Sequence, residues 1–170
     1  PMMDGLAFVH NMLVGFGIRQ HIKVIASGKI LSGFHILRAI ALGADGCNSA
    51  RAMMMALGCI QALLCNTNRC PTGITTQDPQ LTVGLVVEDK KHRVANYHED
   101  TVKSFVELLG AAGLEDMKQL TRSHIYRRVF MNEVRTFEDV FPSLQPGCLL
   151  NGNIPEKYKQ DIEAASADRW

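Results

Sequence analysis

The sequence predicts an α/β fold, in which short parallel strands alternate with helices and a mainly helical extension follows. Two short apolar runs, at 22–26 and 45–49, are each followed by a small turn and then by a helical pattern. Alternation with such short connections is typical of parallel strands joined by right-handed crossovers. Beyond residue 90, apolar residues recur at spacings of three and four, which indicates an amphipathic helix.

The first elements follow from apolar spacing and from the positions of glycines. Helical spacing predicts a helix over 4–16, which Gly17 can end. The run 22–26 is short and rich in β-branched residues, as buried parallel strands are. Ser32 can cap the next helix, and Gly43 lies just past its end.

A second strand over 45–49 and a helix from Ala50 through Leu57 complete the alternation. Parallel units of this kind form either an open doubly wound sheet or a barrel. Two strands cannot close a barrel, and an eight-stranded barrel typically needs about 250 residues. Of a (β/α)8 TIM barrel, a chain of 170 residues can therefore hold only the last strand-helix units and a C-terminal extension.

The second half of the chain carries the pattern of the extension. We expect the barrel units in residues 1–80 and the mainly helical extension in residues 81–170. Within the extension we predict a long amphipathic helix, two shorter helices and a looser charged tail, at 91–110, 114–120, 123–129 and 157–169 respectively.

The composition is that of an ordinary globular protein, with 46% hydrophobic and 21% charged residues. A net charge of +1 without blocks of like charge argues against a nucleic-acid partner. No run reaches the roughly 18 apolar residues of a membrane span, and no secretory signal opens the sequence. Five cysteines without export signals favour a reducing compartment, so we expect the cytoplasm. Because the sequence begins at Pro1, we also expect a piece of a longer protein.

The feature richest in chemistry is a run of three cysteines, Cys59, Cys65 and Cys70, separated by five and four residues. Six residues on a helix turn through about 600°, so Cys59 and Cys65 cannot share one straight helix face and the backbone must break between them. Pro71 and Gly73 enforce non-helical backbone, where amides can turn toward cluster sulfurs. Three thiols within so short a run favour a three-iron cluster.

Two other interpretations of these cysteines stay open. Zinc is the main alternative metal, although structural zinc usually takes four ligands with paired short spacings, and no histidine near the run supplies a fourth. Buried free thiols are the second alternative, because cysteine is often found in protein interiors. Cys47 lies within a predicted strand and Cys148 in a segment rich in proline and glycine, so we expect both to be unligated.

Small residues and a basic residue follow each predicted strand. They are Ser27, Gly28 and Lys29 after the first strand, and Ser49, Ala50 and Arg51 after the second. The last βα loops of barrels commonly present backbone amides and a helix N-terminus to a phosphate. Arg51 can add a bidentate contact. Tight turns with a solvated basic residue are the alternative interpretation of each tripeptide.

At these motifs the sequence resembles the flavin domain of glutamate synthase, in the single-domain archaeal-type branch of FMN-binding glutamate synthases. Residues 22–79 are similar to the family's seventh and eighth strand-helix units and to its cluster loop. Cys59, Cys65 and Cys70 fall on the positions of the cluster ligands. The likeness is strongest over 6–79 and continues through Leu149, as the family's C-terminal extension.

The resemblance implies a barrel that holds FMN above a [3Fe-4S] cluster, with the flavin phosphate bound by Gly28, Lys29, Ala50 and Arg51. It implies an oxidoreductase that reduces 2-iminoglutarate, formed from 2-oxoglutarate and ammonia, to glutamate. The groups that hold the flavin ring and the substrate belong to barrel strands outside this sequence, so no catalytic residue is assigned. The chain is therefore expected to be inactive alone.

The resemblance also implies partners. The rest of the barrel would come from a missing N-terminal portion, a second copy or another subunit, and ammonia from a glutaminase domain or subunit. Electrons would come from a ferredoxin or from a nicotinamide-dependent flavoprotein. Two alternative functions stay open: a non-catalytic, metal-stabilised fragment or interaction module, and a related enzyme that makes an N-substituted glutamate.

Overall fold

Two parallel strands with helices beside them form the first part of the structure. The computed structural model describes residues 2–165 and residue 168. The elements in this part are α1 (Met2–Gly15), β1 (Ile25–Ser27), α2 (Gly33–Ala41), β2 (Gly46–Asn48) and α3 (Ala50–Ala56). Each corresponds to an element predicted from the sequence, so the strand-helix alternation is confirmed.

The two strands pair in parallel, with Ile25 opposite Gly46, Ala26 opposite Cys47 and Ser27 opposite Asn48. The first strand is shorter than the run 22–26 predicted, and it begins three residues later. One reason is local: a 3-10 turn over Arg19–His21 precedes the strand. The other is that ladder pairing extends only over the three residues that β2 offers.

The helix between the strands begins and ends where the sequence indicated. Ser32 occupies the N-cap position of α2, although its hydroxyl is hydrogen-bonded to Nδ1 of His35, 2.9 Å away, and not to a backbone amide. Gly43 follows the helix with φ +109°, a left-handed conformation that favours glycine. The chain then turns directly into β2.

The second part consists of helices and one hairpin. Its elements are α4 (Pro79–Thr82), α5 (Val87–Ala111), 3-10 turns over Met117–Gln119 and Arg122–His124, β3 (Tyr126–Phe130), β4 (Glu133–Thr136), α6 (Phe137–Val140) and α7 (Glu156–Ala164). The long helix predicted over 91–110 is confirmed and begins four residues earlier. The structure as a whole is of mixed α/β type.

Two helix predictions in this part are wrong. The helix predicted over 123–129 is a 3-10 turn followed by β3, which pairs antiparallel with β4. The β-branched and aromatic residues of this segment make their backbone hydrogen bonds in a hairpin, which has a bulge between Arg128 and Phe130. The helix predicted over 114–120 is reduced to the turn Met117–Gln119, which Asp116 caps.

The charged segment 157–169 was predicted to be loose, but its first part forms α7. Tyr158 anchors this helix: it is 6% exposed, and its hydroxyl accepts a hydrogen bond from Asn11 Nδ2 at 2.8 Å. Asn11 in turn accepts one from Arg122, at 2.9 Å. Residues 166, 167, 169 and 170 lie outside the described residues.

One hydrophobic core draws on both halves of the chain. Its buried members are Leu6, Ala7, Ala26, Ile30, Leu37, Ala39, Ala41, Leu42, Ala44, Leu109, Leu120, Ile125, Phe137 and Phe141. The helix α5 packs on α2 and α3 and so holds the strand-helix units against the extension.

The boundary between the barrel units and the extension, predicted at residue 80, stays a prediction. No helix among the described residues is long and apolar enough to cross a membrane.

The crossing of α2 and α5 depends on Gly33. A Cβ atom there would lie 2.5 Å from the Phe105 nitrogen and 2.8 Å from the Ser104 carbonyl carbon. We expect Gly33→Ala to destabilise the fold by about 2 kcal/mol, because the two backbones must separate. Gly110→Ala is the matched control, since a Cβ at Gly110 meets nothing within 4 Å, and it should stabilise by about 0.5 kcal/mol. Urea unfolding measures both, and equal effects would contradict the prediction.

Candidate metal and phosphate site

The parallel pairing brings the two predicted phosphate-binding loops together. Because β1 and β2 run in the same direction and Ser27 lies opposite Asn48, both strands end at one edge of the sheet. The Ser49 hydroxyl donates a hydrogen bond to the carbonyl oxygen of Ile30, at 2.7 Å, and so ties one loop to the other. Residues 27–29 and 49–51 therefore lie side by side, each directly after a strand.

The backbone of the first loop is unusual. Gly28 has φ +144° and Lys29 has φ +55°, so two successive residues depart from the conformations that side chains favour. Lys29 and Arg51 are exposed, and Ala50, the first residue of α3, adds no bulk between them. An edge with two exposed cations and a bare glycine backbone suits an anion such as a phosphate.

The cysteine run begins where α3 ends. The Cys59 amide donates to the Met54 carbonyl at 3.0 Å, and the Gly58 amide donates to the Met55 carbonyl at 2.9 Å. This pair of bonds, with Gly58 at φ +102°, is a Schellman motif that stops the helix. Residues 59–65 are non-helical, so the predicted departure from helix between the first two cysteines is confirmed.

The loop from Cys59 to Cys70 is held in strained conformations. Gln61, Leu63 and Asn68 have φ near +60° although none is glycine. Each such residue costs on the order of 1 kcal/mol and persists only where its surroundings enforce it. Asn68 is one enforced position, since its side-chain oxygen accepts from the Gln77 amide at 2.7 Å. Strain of this kind is concentrated at ligand-binding sites.

The three thiols line one small cavity. Its wall also contains apolar residues: Ile60, Ala62, Leu63, Leu64 and Pro71. Within the described residues, no three His, Cys, Asp or Glu side chains converge closely enough to hold a single metal ion, which for zinc would place thiolates about 3.8 Å apart. In a cluster, each thiolate would bind a different iron atom, so the three thiols need not meet at one point. The cavity itself measures about 10 Å³, so the loop would have to open around a bound cluster.

Cys70 is the thiol best prepared to act as a ligand. It is 9% exposed, and its Sγ lies 3.3 Å from the Thr72 hydroxyl oxygen. Hydrogen bonding from the Thr72 hydroxyl, followed by the effects of the nearby Thr75 amide and hydroxyl, lowers the pKa of Cys70 to about 6 against the opposing effect of burial. The Thr75 hydroxyl contributes by proximity, because it does not reach hydrogen-bond geometry with any group of the described residues. The thiolate is the form that binds metals, and it predominates at neutral pH.

Sequence reasoning missed the two threonines. They stand two and five residues after Cys70, and the turn at Gly73 directs them back toward it. Gly73 has φ +75°, and a Cβ there would lie 2.4 Å from the Leu81 carbonyl oxygen, so only glycine allows this turn to pack on α4. A threonine-rich segment after the third cysteine is the signal that was available.

The other two cysteines lie away from this cavity. Cys47 is in β2, where burial raises the pKa of its thiol, and Cys148 is in the C-terminal segment. Neither lines the cavity shared by the three clustered thiols. Their expected lack of a ligand stays a prediction.

The arrangement can be compared with known proteins. A family model described as the conserved region in glutamate synthase matches residues 1–115. The chain belongs to the glutamate synthase family. The match covers both strands, both loops and all three clustered cysteines, so the family suspected from the motifs is confirmed.

Individual relatives agree with this membership. The chain is 43% identical over 128 residues to the glutamate synthase large subunit-like protein YerD of Bacillus subtilis, and 40% identical over 120 residues to the archaeal glutamate synthase [NADPH] of Methanocaldococcus jannaschii. These matches cover 75% and 71% of the chain but only 24% of each relative. Glutamate synthase [NADH] of Saccharomyces cerevisiae is 27% identical over 165 residues, which is 95% of the chain and 8% of that protein. The chain thus spans about a quarter of the first two relatives.

Alkylation should reveal the ionisation of Cys70. In chelator-treated protein under anaerobic conditions, we expect the rate of Cys70 alkylation by iodoacetamide, followed by peptide mass spectrometry, to be half-maximal near pH 6. Thr72→Val should move that midpoint upward, toward the ordinary cysteine value of about 8.5, because it removes the largest stabilising hydrogen bond. Thr67→Val, in the same loop but bonded to the Leu64 carbonyl, is the control. A wild-type midpoint at the ordinary value would contradict the prediction.

Proposed function

We propose that this chain is the cofactor-binding C-terminal part of a glutamate synthase, with FMN phosphate on the two strand-end loops and a [3Fe-4S] cluster on Cys59, Cys65 and Cys70. The observation that carries the proposal is that these three thiols line one cavity directly after the helix that starts at the phosphate loop. That helix, α3, has seven residues and is about 10 Å long. The two sites are therefore near neighbours.

The residues present suit both groups. For the phosphate, Lys29 and Arg51 supply positive charge, and Gly28 allows close approach to the backbone. For the cluster, three cysteines line one cavity together with apolar residues. Ile60 and Leu63 are 67% and 85% exposed, so a covering partner would be needed to keep water from the cluster. Cys70 is already held as a thiolate by its neighbours.

The same proposal places residues 1–80 in the last two units of a (β/α)8 barrel and residues 81–170 in an extension. Parallel pairing of β1 and β2 around the intervening helix α2 supports it. Each strand has one unpaired edge among the described residues, and Ile25 in β1 is 54% exposed. Open edges and exposed apolar strand residues call for a covering partner. The rest of the barrel, in the same polypeptide, a second copy or another subunit, would be that partner.

The proposed reaction is the reduction of 2-iminoglutarate, formed from 2-oxoglutarate and ammonia, to glutamate. The flavin and the cluster would supply the electrons when bound. This chain's own residues would hold the two groups near each other and neutralise the flavin phosphate. Ammonia would come from a glutaminase domain or subunit, and the location in the cytoplasm stays a prediction.

The names of the relatives bear on the electron donor. The Methanocaldococcus jannaschii and Saccharomyces cerevisiae proteins are named for NADPH and NADH. A relative from Arabidopsis thaliana, 29% identical over 137 residues, is instead named ferredoxin-dependent. A nicotinamide-dependent flavoprotein and a ferredoxin are therefore both candidate donors for this chain. A metal-stabilised interaction module and an N-substituted glutamate synthase are the competing functions, which the cofactor content and the amine donor would distinguish.

Metal analysis tests the cluster directly. Anaerobically purified protein should contain about three irons per chain with acid-labile sulfide, and Cys59→Ser should lose most of both, because it removes one of only three proposed ligands. Cys148→Ser, outside the cavity, should keep the wild-type content. Zinc, or no metal, in the wild-type protein would overturn the redox function and leave an interaction module.

Flavin titration tests the phosphate loops. In the chain joined to the rest of its barrel, we expect Arg51→Gln to weaken FMN binding by about tenfold or more, because one charge-assisted contact to the phosphate is lost. Arg93→Gln removes another exposed arginine, on α5, and should leave affinity unchanged. The affinity is measured by quenching of FMN fluorescence. Equal affinities of the two variants for FMN would contradict the proposal that the flavin phosphate binds at this edge of the sheet.

A further inference from the structure

One buried hydroxyl near the cysteine cavity forms no hydrogen bond within the described part of the fold. Thr75 Oγ1 is shielded from solvent, and no hydrogen-bond partner for it exists among the described residues. Buried hydroxyls in folded proteins are nearly always hydrogen-bonded, because burial without a partner forfeits their bonds to water. An exception therefore calls for an explanation, such as strain, a bound water or ion, or a redox role.

The position of this hydroxyl is set by its neighbours. The next residue, Thr76, donates its hydroxyl to the Asn68 carbonyl at 2.7 Å, and the Gln77 amide bonds to the Asn68 side chain. These bonds fasten the segment to the loop between Cys65 and Cys70. Thr75 thus faces the thiol of Cys70 but closes no hydrogen bond of ordinary geometry with it.

Thr72 has a different role from Thr75. Its hydroxyl already lies at hydrogen-bond distance from Cys70 Sγ, 3.3 Å away, and so orients the ligand. The Thr75 hydroxyl remains without a hydrogen-bond partner in the part of the chain that the structure describes, and Thr75 lines a neighbouring cavity that shares Cys65 with the cysteine cavity. A donor in this place can reach a sulfur atom that lies beyond the thiol.

We propose that the Thr75 hydroxyl donates a hydrogen bond to a sulfur atom of the bound iron-sulfur cluster and thereby raises the reduction potential of the cluster. Reduction adds negative charge, and an O–H donor stabilises the more negative state. Thr75 is therefore a positioning residue that sets the potential and is not a ligand. This inference rests on the proposed function, since it requires the cluster.

The experiment compares the wild-type protein with Thr75→Val and Thr75→Ser, each purified anaerobically with its cluster. Iron and sulfide content are measured first, and the midpoint potential is then determined by electron paramagnetic resonance of samples poised at a series of potentials. We expect Thr75→Val to keep its iron and to disfavour reduction about tenfold, which is about 59 mV for a one-electron couple. Thr75→Ser, which keeps the hydroxyl, should retain the wild-type midpoint.

The outcomes separate the two proposals. A wild-type protein without iron overturns the proposed function and the inference with it. Three irons in both wild type and Thr75→Val, with equal midpoints, overturn the inference alone. If Thr75→Val loses iron, Thr75→Ala decides: a bound cluster with a lowered midpoint supports the inference, and loss of iron or an unchanged midpoint overturns it.

Discussion

The site depends above all on the parallel pairing of Ile25–Ser27 with Gly46–Asn48. Asp45 extends this pairing by one step, because its amide donates to the Val24 carbonyl while its carboxylate accepts from the Val24 amide, both at 2.8 Å. Arg19 holds the same carboxylate at 2.7 Å. Burial alone would raise the pKa of Asp45, but the bonds from Val24 and Arg19 outweigh it and lower that pKa. The carboxylate thus stays ionised and keeps both loops at one edge.

The loop from Cys59 to Cys70 differs from the strands in its backbone conformation. No residue of the strands has positive φ, whereas the loop carries three strained residues and is followed by Thr75, whose hydroxyl has no hydrogen-bond partner among the described residues. Local rules are broken at functional sites and compensated elsewhere. Here the compensation comes from the bonds of Asn68 and from the packing of Gly73 on α4. A bound cluster would add to it by joining three separate points of the loop.

Sequence reasoning succeeded where a local signal and the tertiary structure agree. Glycines with left-handed backbone follow α1 and α2, so these helix ends could be predicted. It failed at 123–129, because a short run of β-branched, aromatic and basic residues suits a helix turn or a strand equally, and only pairing with Glu133–Thr136 decides between them. It failed again at α7, a polar helix whose stability comes from one buried side chain, Tyr158.

The sequence by itself determined the order of strand, turn and helix, the spacing of the three cysteines and the break in the backbone around them. These features depend on residue type and on neighbouring φ and ψ angles, which a single stretch of chain specifies. Only the tertiary structure decided that Ser49 ties the two loops together, that Asn11 joins α1 to Arg122 and α7, and which hydroxyls meet Cys70. Those contacts depend on where separate segments pack and on how a strained loop turns, and no propensity encodes either.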